Sequence, residues 1–303
     1  MTQAAARASD ITVLLAEQHG MATREQLARL GVAAATIRAN VAAGRWQAVS
    51  RRVLALHNGP LTSDQSAWFA VLDGGPDCAL AGLSALRAQG LHGFAVDRHQ
   101  TVVPVAARPG RHELYVRRRS RRLCDDAVHP VRQPAMLRVP YALVDALEVM
   151  ELPLRGCALL AAVVQQQMLR PSQLHALVAA EPTLPNRRVY AAVAADIEGG
   201  AQSLLEIDFG RLAKRAGLPP PRRQAVRRDK YGRRRYLDVD FDAFTVEVDG
   251  AVHLKPLNWW DDMFRQNGLV ISGRPMLRFA SVGIRLQPAK VIEQLADAGR
   301  RWL

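Results

Sequence analysis

The sequence predicts a multi-domain α/β protein with three parts: a helical and hairpin module over 1–58, a mixed region and helical connector over 59–198, and a C-terminal α/β domain over 199–303. Three observations carry this. The 303 residues, 49% of them hydrophobic, suffice for about two domains. Apolar residues recur at helical spacing near the N-terminus and again over 140–197. Between Tyr236 and Asp249 the period falls to two, with apolar and acidic residues alternating as they do along a strand.

In chain order, Ser9 or Asp10 is the expected cap of a first helix bearing Ile11, Leu14 and Leu15 and ending at Gly20. Thr23 with Gln26 forms a capping box for a second helix bearing Leu27 and Leu30, and Gly31 turns the chain into a third over 32–43. Gly44 stops that helix. Trp46, Val49, Val53 and Leu54 then outline a short hairpin carrying Arg51 and Arg52. Apolar strands follow at 101–105 and 113–116, leading into the run Arg117, Arg118, Arg119, Arg121 and Arg122, which reads either as a solvated face or as a phosphate-facing surface.

Over 140–197 the pattern is helical, with Leu143, Leu147, Leu159, Leu160 and Val163 as core positions, and Gly199-Gly200 closes it. Residues 203–215 form an amphipathic helix with Glu206 beside its apolar face. Residues 222–235 hold seven Arg plus Lys230 around a turn at Lys230-Tyr231-Gly232, a basic hairpin that includes Arg227, Arg228, Arg233 and Arg234. A second hairpin pairs 236–241 with 244–249. A buried strand over 275–279, reached by a helical crossover, and an amphipathic helix over 288–303 complete the domain.

The 41 Lys plus Arg against 28 Asp plus Glu leave a net charge of +13, which favours a polyanionic partner because neutralising phosphates releases counterions. All but four of those basic residues are Arg, a bias that codon usage can impose; the excess over acids is not explained that way. No apolar run approaches the roughly 18 residues of a membrane span and no secretory signal opens the chain, so a cytoplasmic protein without membrane association is expected. The three cysteines form no Cys-x-x-Cys pair, and neither disulfides nor structural zinc are expected.

The order of elements over 9–58 resembles a winged helix-turn-helix. That resemblance implies a second helix lying in the major groove of DNA, with Thr36, Arg38, Asn40 and Arg45 facing base edges and phosphates and with Arg51 and Arg52 on the wing. The alternative is a small packing module with no duplex of its own. The stretch Ala79 to Leu91 and its spacing from the N-terminal helices are similar to abortive-infection (AbiEi-type) antitoxin proteins over roughly the first 130 residues. This implies a DNA-binding regulator with a cognate toxin as partner and a homodimeric state.

Strand alternation sets Asp238, Asp240 and Asp242 on one face, and Thr245, Glu247 and Asp249 on one face of the next strand. With a turn near Asp242-Ala243 the acidic faces coincide, and the crowded carboxylates repel one another. Either the face is solvated and offsets the basic hairpin, or a hard divalent cation such as Mg²⁺ or Mn²⁺ relieves the repulsion.

Glu206, Asp238, Glu247-Val-Asp249-Gly250-x-x-His253, Asp262-x-x-Arg265-Gln266-Asn267 and Met276-Leu277-Arg278-Phe279 fall in an order that resembles the PD-(D/E)XK nuclease superfamily. More narrowly, it looks like the group of uncharacterised domains similar to very-short-patch repair endonucleases, over about 202–303. The resemblance implies a restriction-endonuclease-like α/β/α fold with a central mixed sheet, Mg²⁺ or Mn²⁺ held by Asp238 and Glu247, assistance from Glu206, and hydrolysis of DNA phosphodiesters. It also implies that His253 orients or deprotonates the attacking water, or protonates the leaving group. Asp249 stands where that superfamily usually has Lys. Either it is a further metal ligand, or Lys255, Arg265 or Gln266 takes over the missing function. Arg265 is also a candidate DNA contact, or a brace for Asp262.

Overall fold

The computed structural model describes residues 3–199, 210–228, 234–249, 275–280, 284 and 287–303. Of these, 3–9, 199, 223–228, 234–238, 248–249 and 280 are described by their backbone alone. The protein is α/β, and its chain divides into two compact units, Met1–Leu147 and Glu148–Leu303. The boundary read at 58/59 falls within the first unit and that at 198/199 within the second. Among the described residues no helix is long and apolar enough to cross a membrane. All three cysteines are free, with Cys78 and Cys157 buried and Cys124 exposed.

The first unit opens with α1 (Gln3–Glu17), β1 (Met21–Thr23), α2 (Arg24–Arg29), α3 (Ala34–Ala42), β2 (Gln47–Ala48) and β3 (Val53–Ala55). α1 begins well before the expected cap at Ser9 or Asp10, because Ala4, Ala5, Ala6 and Ala8 are strong helix formers that need no cap to extend it. The capping box forms as read: Thr23 Oγ1 accepts from the Gln26 amide at 3.0 Å, and Gln26 Oε1 accepts from the Thr23 amide at 2.8 Å. Gly31 (φ +79°) and Gly44 (φ +66°) take the left-handed backbone that ends α2 and α3.

β1, β3 and β2 pair antiparallel in that order. Alternation along β1 and β3 buries both faces of this sheet. Ala22 and Leu54 pack on Leu27 and Ile37 of the helices, while Met21, Val53 and Ala55 face the other way. There they meet Trp68 and Phe69 of α4 (Ser63–Gly74) and Tyr115 of β6 (Tyr115–Arg119). A sheet buried on both sides cannot close a unit by itself, which is why the first unit continues past the N-terminal module.

A second sheet, in the order β4-β5-β6, joins β4 (Ala79–Leu80), β5 (His99–Val103) and β6, antiparallel then parallel. α5 (Gly82–Ala88) follows β4, and α6 (Val139–Glu148) lies at the division between the units.

In the second unit α7 (Pro153–Gln165), α8 (Pro171–Ala179) and α9 (Arg187–Gly199) pack through Leu159, Leu160, Val163, Leu174, Val178, Tyr190 and Val193. Residues 210–215 are helical. The sheet order is β10-β9-β8-β7, from β7 (Arg222–Arg228), β8 (Arg234–Asp240), β9 (Thr245–Asp249) and β10 (Met276–Ala280). β7, β8 and β9 are antiparallel neighbours, whereas β10 runs parallel to β9. A parallel neighbour requires a crossover, as the sequence predicted, although residues 250–274 lie outside the described residues. One sheet face buries Val239, Val246 and Phe279 against Val291, Leu295 and Ala298 of α10 (Pro288–Trp302). These α10 positions, spaced by four and then three, make one helical stripe.

Candidate functional site

Register decides what the other face of this sheet presents. Val239 pairs with Val246 and Asp240 with Thr245. Across the next ladder Glu247 pairs with Arg278. Residues directly opposed across a sheet share a face. Glu247 and Arg278 therefore share a row over two strands, with Asp240 and Thr245 in the row beside it, and Asp238 stands two residues before Asp240 on β8. Asp249 pairs with Ala280 at the far end.

The face is buried: Glu247 is 6% exposed, and Asp240 and Thr245 are each 1% exposed. Burying carboxylates is costly unless a cation or hydrogen bonds compensate. The reading as a solvated acidic face fails on this burial. Asp242 does not join the face as expected, because it sits in the turn at φ +64°. There its amide donates to Asp240 Oδ1 at 3.1 Å and its carboxylate pairs with Arg222 at 3.3 Å. Two-residue turns favour such a left-handed residue, and this one removes Asp242 from the strand alternation.

Among the described residues no three His, Cys, Asp or Glu side chains come together as a metal cluster. Glu206, Arg233, His253, Lys255, Asp262, Arg265 and Gln266 lie outside the described residues, and Asp238 and Asp249 are placed by their strands alone. An aspartate on β8 and a buried glutamate on the adjacent β9 are oxygen donors of the type a hard divalent cation takes. Arg278, which sequence reasoning did not assign to the site, enters only through the parallel register of β10, and spacing along the chain carries no signal of that.

β7 and β8 carry the basic hairpin. Their register sets Arg227 opposite Arg235 and Arg228 opposite Arg234.

At the N-terminus, Thr36 and Arg38 are exposed on α3 and Arg51 and Arg52 are exposed in the β2–β3 loop. Asn40 is committed to its own helix: its Nδ2 donates to Thr36 O at 2.9 Å and its Oδ1 accepts from Arg45 Nε at 2.7 Å. It thus holds the exposed Arg45 in place. The loop is anchored by Arg24, whose amide donates to Arg52 O at 3.0 Å and whose Nε donates to Arg51 O, also at 3.0 Å.

No protein-family model matches the chain, and no curated protein matches it either. The site therefore stands on its own geometry.

The run at 117–122 divides: Arg119 and Arg121 are exposed, whereas Arg117 and Arg118 turn into the fold. Arg117, its side chain 3% exposed, donates from Nη2 to Ala70 O at 2.6 Å and from Nε to Thr101 Oγ1 at 3.3 Å. Its guanidinium also lies 4.1 Å from the centre of the Tyr115 ring and 3.8 Å from Asp73 Oδ2. Asp73 in turn accepts from Tyr115 OH and from Ser50 Oγ, each at 2.6 Å. Arg118 pairs with Asp145. Burial and the bond to Asp73 push the Tyr115 phenol up to about 12.

Proposed function

We propose that this chain is a metal-dependent DNA endonuclease in which a PD-(D/E)XK-like sheet cuts phosphodiesters and an N-terminal winged helix-turn-helix guides it onto duplex DNA. The observation that carries the reading is the buried Glu247 of β9, in register with Arg278 of β10 and beside the buried Asp240 of β8, the strand that also carries Asp238. Asp238 and Glu247 would hold Mg²⁺ or Mn²⁺, with Asp249 one strand position further along. A cation bound there polarises a phosphoryl oxygen and lowers the pKa of an attacking water. Arg278, paired in register with Glu247, brings positive charge to the row that lacks the usual Lys. Glu206 and His253 keep the roles that the resemblance implies, assistance at the metal and proton transfer at the water or leaving group.

DNA binding draws on separate surfaces. Thr36, Arg38 and Arg45 of the α3 region face base edges and phosphates, with Asn40 positioning Arg45, while Arg51 and Arg52 take the adjacent backbone. Arg227, Arg228, Arg233, Arg234 and Arg265 extend the phosphate contacts along the catalytic domain.

The test is incubation of the protein with supercoiled plasmid in Mg²⁺, Mn²⁺ or EDTA. Cleavage is expected with either metal, and Asp238→Ala and Glu247→Ala should abolish it with DNA binding retained. Variants that cut normally would sink the site assignment.

A second reading rests on the helix-turn-helix elements and their hairpin, which need no metal. In that reading the chain is an antitoxin-like transcriptional regulator, dimeric and partnered by a toxin, whose nuclease-like domain does not turn over. Specific operator binding in EDTA, together with failure to cleave any duplex, would favour it.

A further inference from the structure

In the second unit three guanidinium groups surround one cavity, and among the described residues no carboxylate lines it. α9 supplies Arg188 and Val189, the helical residues 210–215 supply Arg211, Leu212 and Arg215, and Ile284 and Pro288 close the remaining side. Arg211 and Arg215, four apart on a helix, share a face. The cavity measures about 420 Å³, within the range of small-molecule sites. Leu212 and Ile284, its apolar floor, are 7% and 3% exposed and belong to the core beneath the sheet, so the floor is rigid.

A second feature points to the same ligand charge. Pro288 begins α10, whose N-cap Gln287 makes no side-chain capping bond and whose first turn holds no acid. The positive end of that helix dipole therefore meets the cavity with its usual side-chain compensation missing. Three clustered arginines repel one another until an anion occupies the space between them, and planar guanidinium forks match phosphate oxygens in pairs.

We propose that this cavity binds a nucleotide, its phosphate held by Arg188, Arg211, Arg215 and the start of α10, and its base laid on Leu212, Ile284 and Val189. An apolar floor under a cationic rim fits a phosphate ester carried on a flat ring better than inorganic phosphate, which would leave the floor uncovered. Among the described residues no acidic side chain of β8 or β9 lines the cavity, and the proposal does not rest on the nuclease reading. The nucleotide is either free or the 5′-phosphorylated end of a strand.

Calorimetric titration of the full chain, with EDTA and at about 0.15 M salt so that distant charges are screened, tests this. The probes are dAMP, deoxyadenosine, inorganic phosphate, and one tetranucleotide with and without a 5′-phosphate. Because each charge-assisted contact counts heavily, dAMP should bind at least about tenfold more tightly than deoxyadenosine or phosphate alone. The exposed double variant Arg211→Gln/Arg215→Gln should lose that binding by about tenfold or more with an unchanged melting temperature. A phosphorylated tetranucleotide that outcompetes dAMP identifies a strand end as the ligand, and parity identifies the free nucleotide; both support the site. Deoxyadenosine or inorganic phosphate binding as well as dAMP, no binding by any probe, or full affinity in the double variant would overturn it.

Discussion

Replacing Arg117 with Ala should be the most damaging single change in the first unit's basic run. The side chain is 3% exposed and makes hydrogen bonds to Ala70 O and Thr101 Oγ1, a stacked contact with the Tyr115 ring, and an ion pair with Asp73. Removing it leaves the Asp73 carboxylate without its cation and the Ala70 carbonyl without that donor. Breaking a buried pair in this way costs about 3–5 kcal/mol. Spread over a unit of this size, at roughly 2–4 °C per kcal/mol, the midpoint should fall by on the order of 10 °C. Arg121, exposed a few residues on, is the control, and Arg121→Ala should stay within about 0.5 kcal/mol. Arg117→Lys keeps the charge but not the planar fork, so it should recover only part of the loss. Urea unfolding, with amide exchange read on β5 and β6, separates this unit from the other. Equal, small effects for Arg117→Ala and Arg121→Ala would refute the burial argument and return the run to a solvated face.

Two further outcomes follow from the same physical logic. A Cβ at Gly156 would lie 2.3 Å from the Tyr190 hydroxyl and 2.6 Å from its ring carbon, so Gly156→Ala should destabilise the α7–α9 packing by about 1–3 kcal/mol despite its better helix propensity. Thermal melts should show the loss, and Tyr190→Phe should return part of it. Tyr115, with its phenol raised to about 12 in the fold, binds its proton more tightly folded than unfolded. Its contribution is therefore complete below about pH 10 and is lost as pH rises toward 12, about 3 kcal/mol at 1.4 per unit. Absorbance titration should find Tyr115 ionising late, and a Tyr115→Phe protein with an identical titration would contradict this.

What the sequence made legible was local. The Thr23–Gln26 capping box, the left-handed stops at Gly31 and Gly44, and the turn at Asp242 each rest on chemistry within a few residues, and each stands where it was read. So does the strand period over β8 and β9. The start of α1 was misread because a cap signal was sought where an alanine run extends the helix without one. Register was the other limit. Nothing in the spacing from Asp249 to Met276 tells which residue of β10 sits beside Glu247, so Arg278 emerged only from the parallel pairing. The cavity between Arg188, Arg211 and Arg215 was equally hidden, since it joins α9, the helical residues 210–215 and Ile284, separate stretches of chain that only packing brings together.

The charge excess can now be resolved by position. The run at 117–122 read either as a solvated face or as a phosphate-facing surface, yet in β6 the alternation turns Tyr115 and Arg117 inward and leaves Val116 outward at 41% exposure. Arg117 and Arg118 are spent on Ala70, Thr101, Asp73 and Asp145, and they offer little to a polyanion. Arg119 and Arg121 of the run stay exposed, and other surface cations gather at Arg38, Arg45 and Arg51 around α3 and at Arg188, Arg211 and Arg215 around the cavity. Net charge alone does not say which arginines are available to a partner; that depends on which have already been paired inside the fold. An arginine that alternates with core residues on a short strand belongs to the interior even within a basic run, whereas one on an exposed helix face beside small residues remains available to a phosphate.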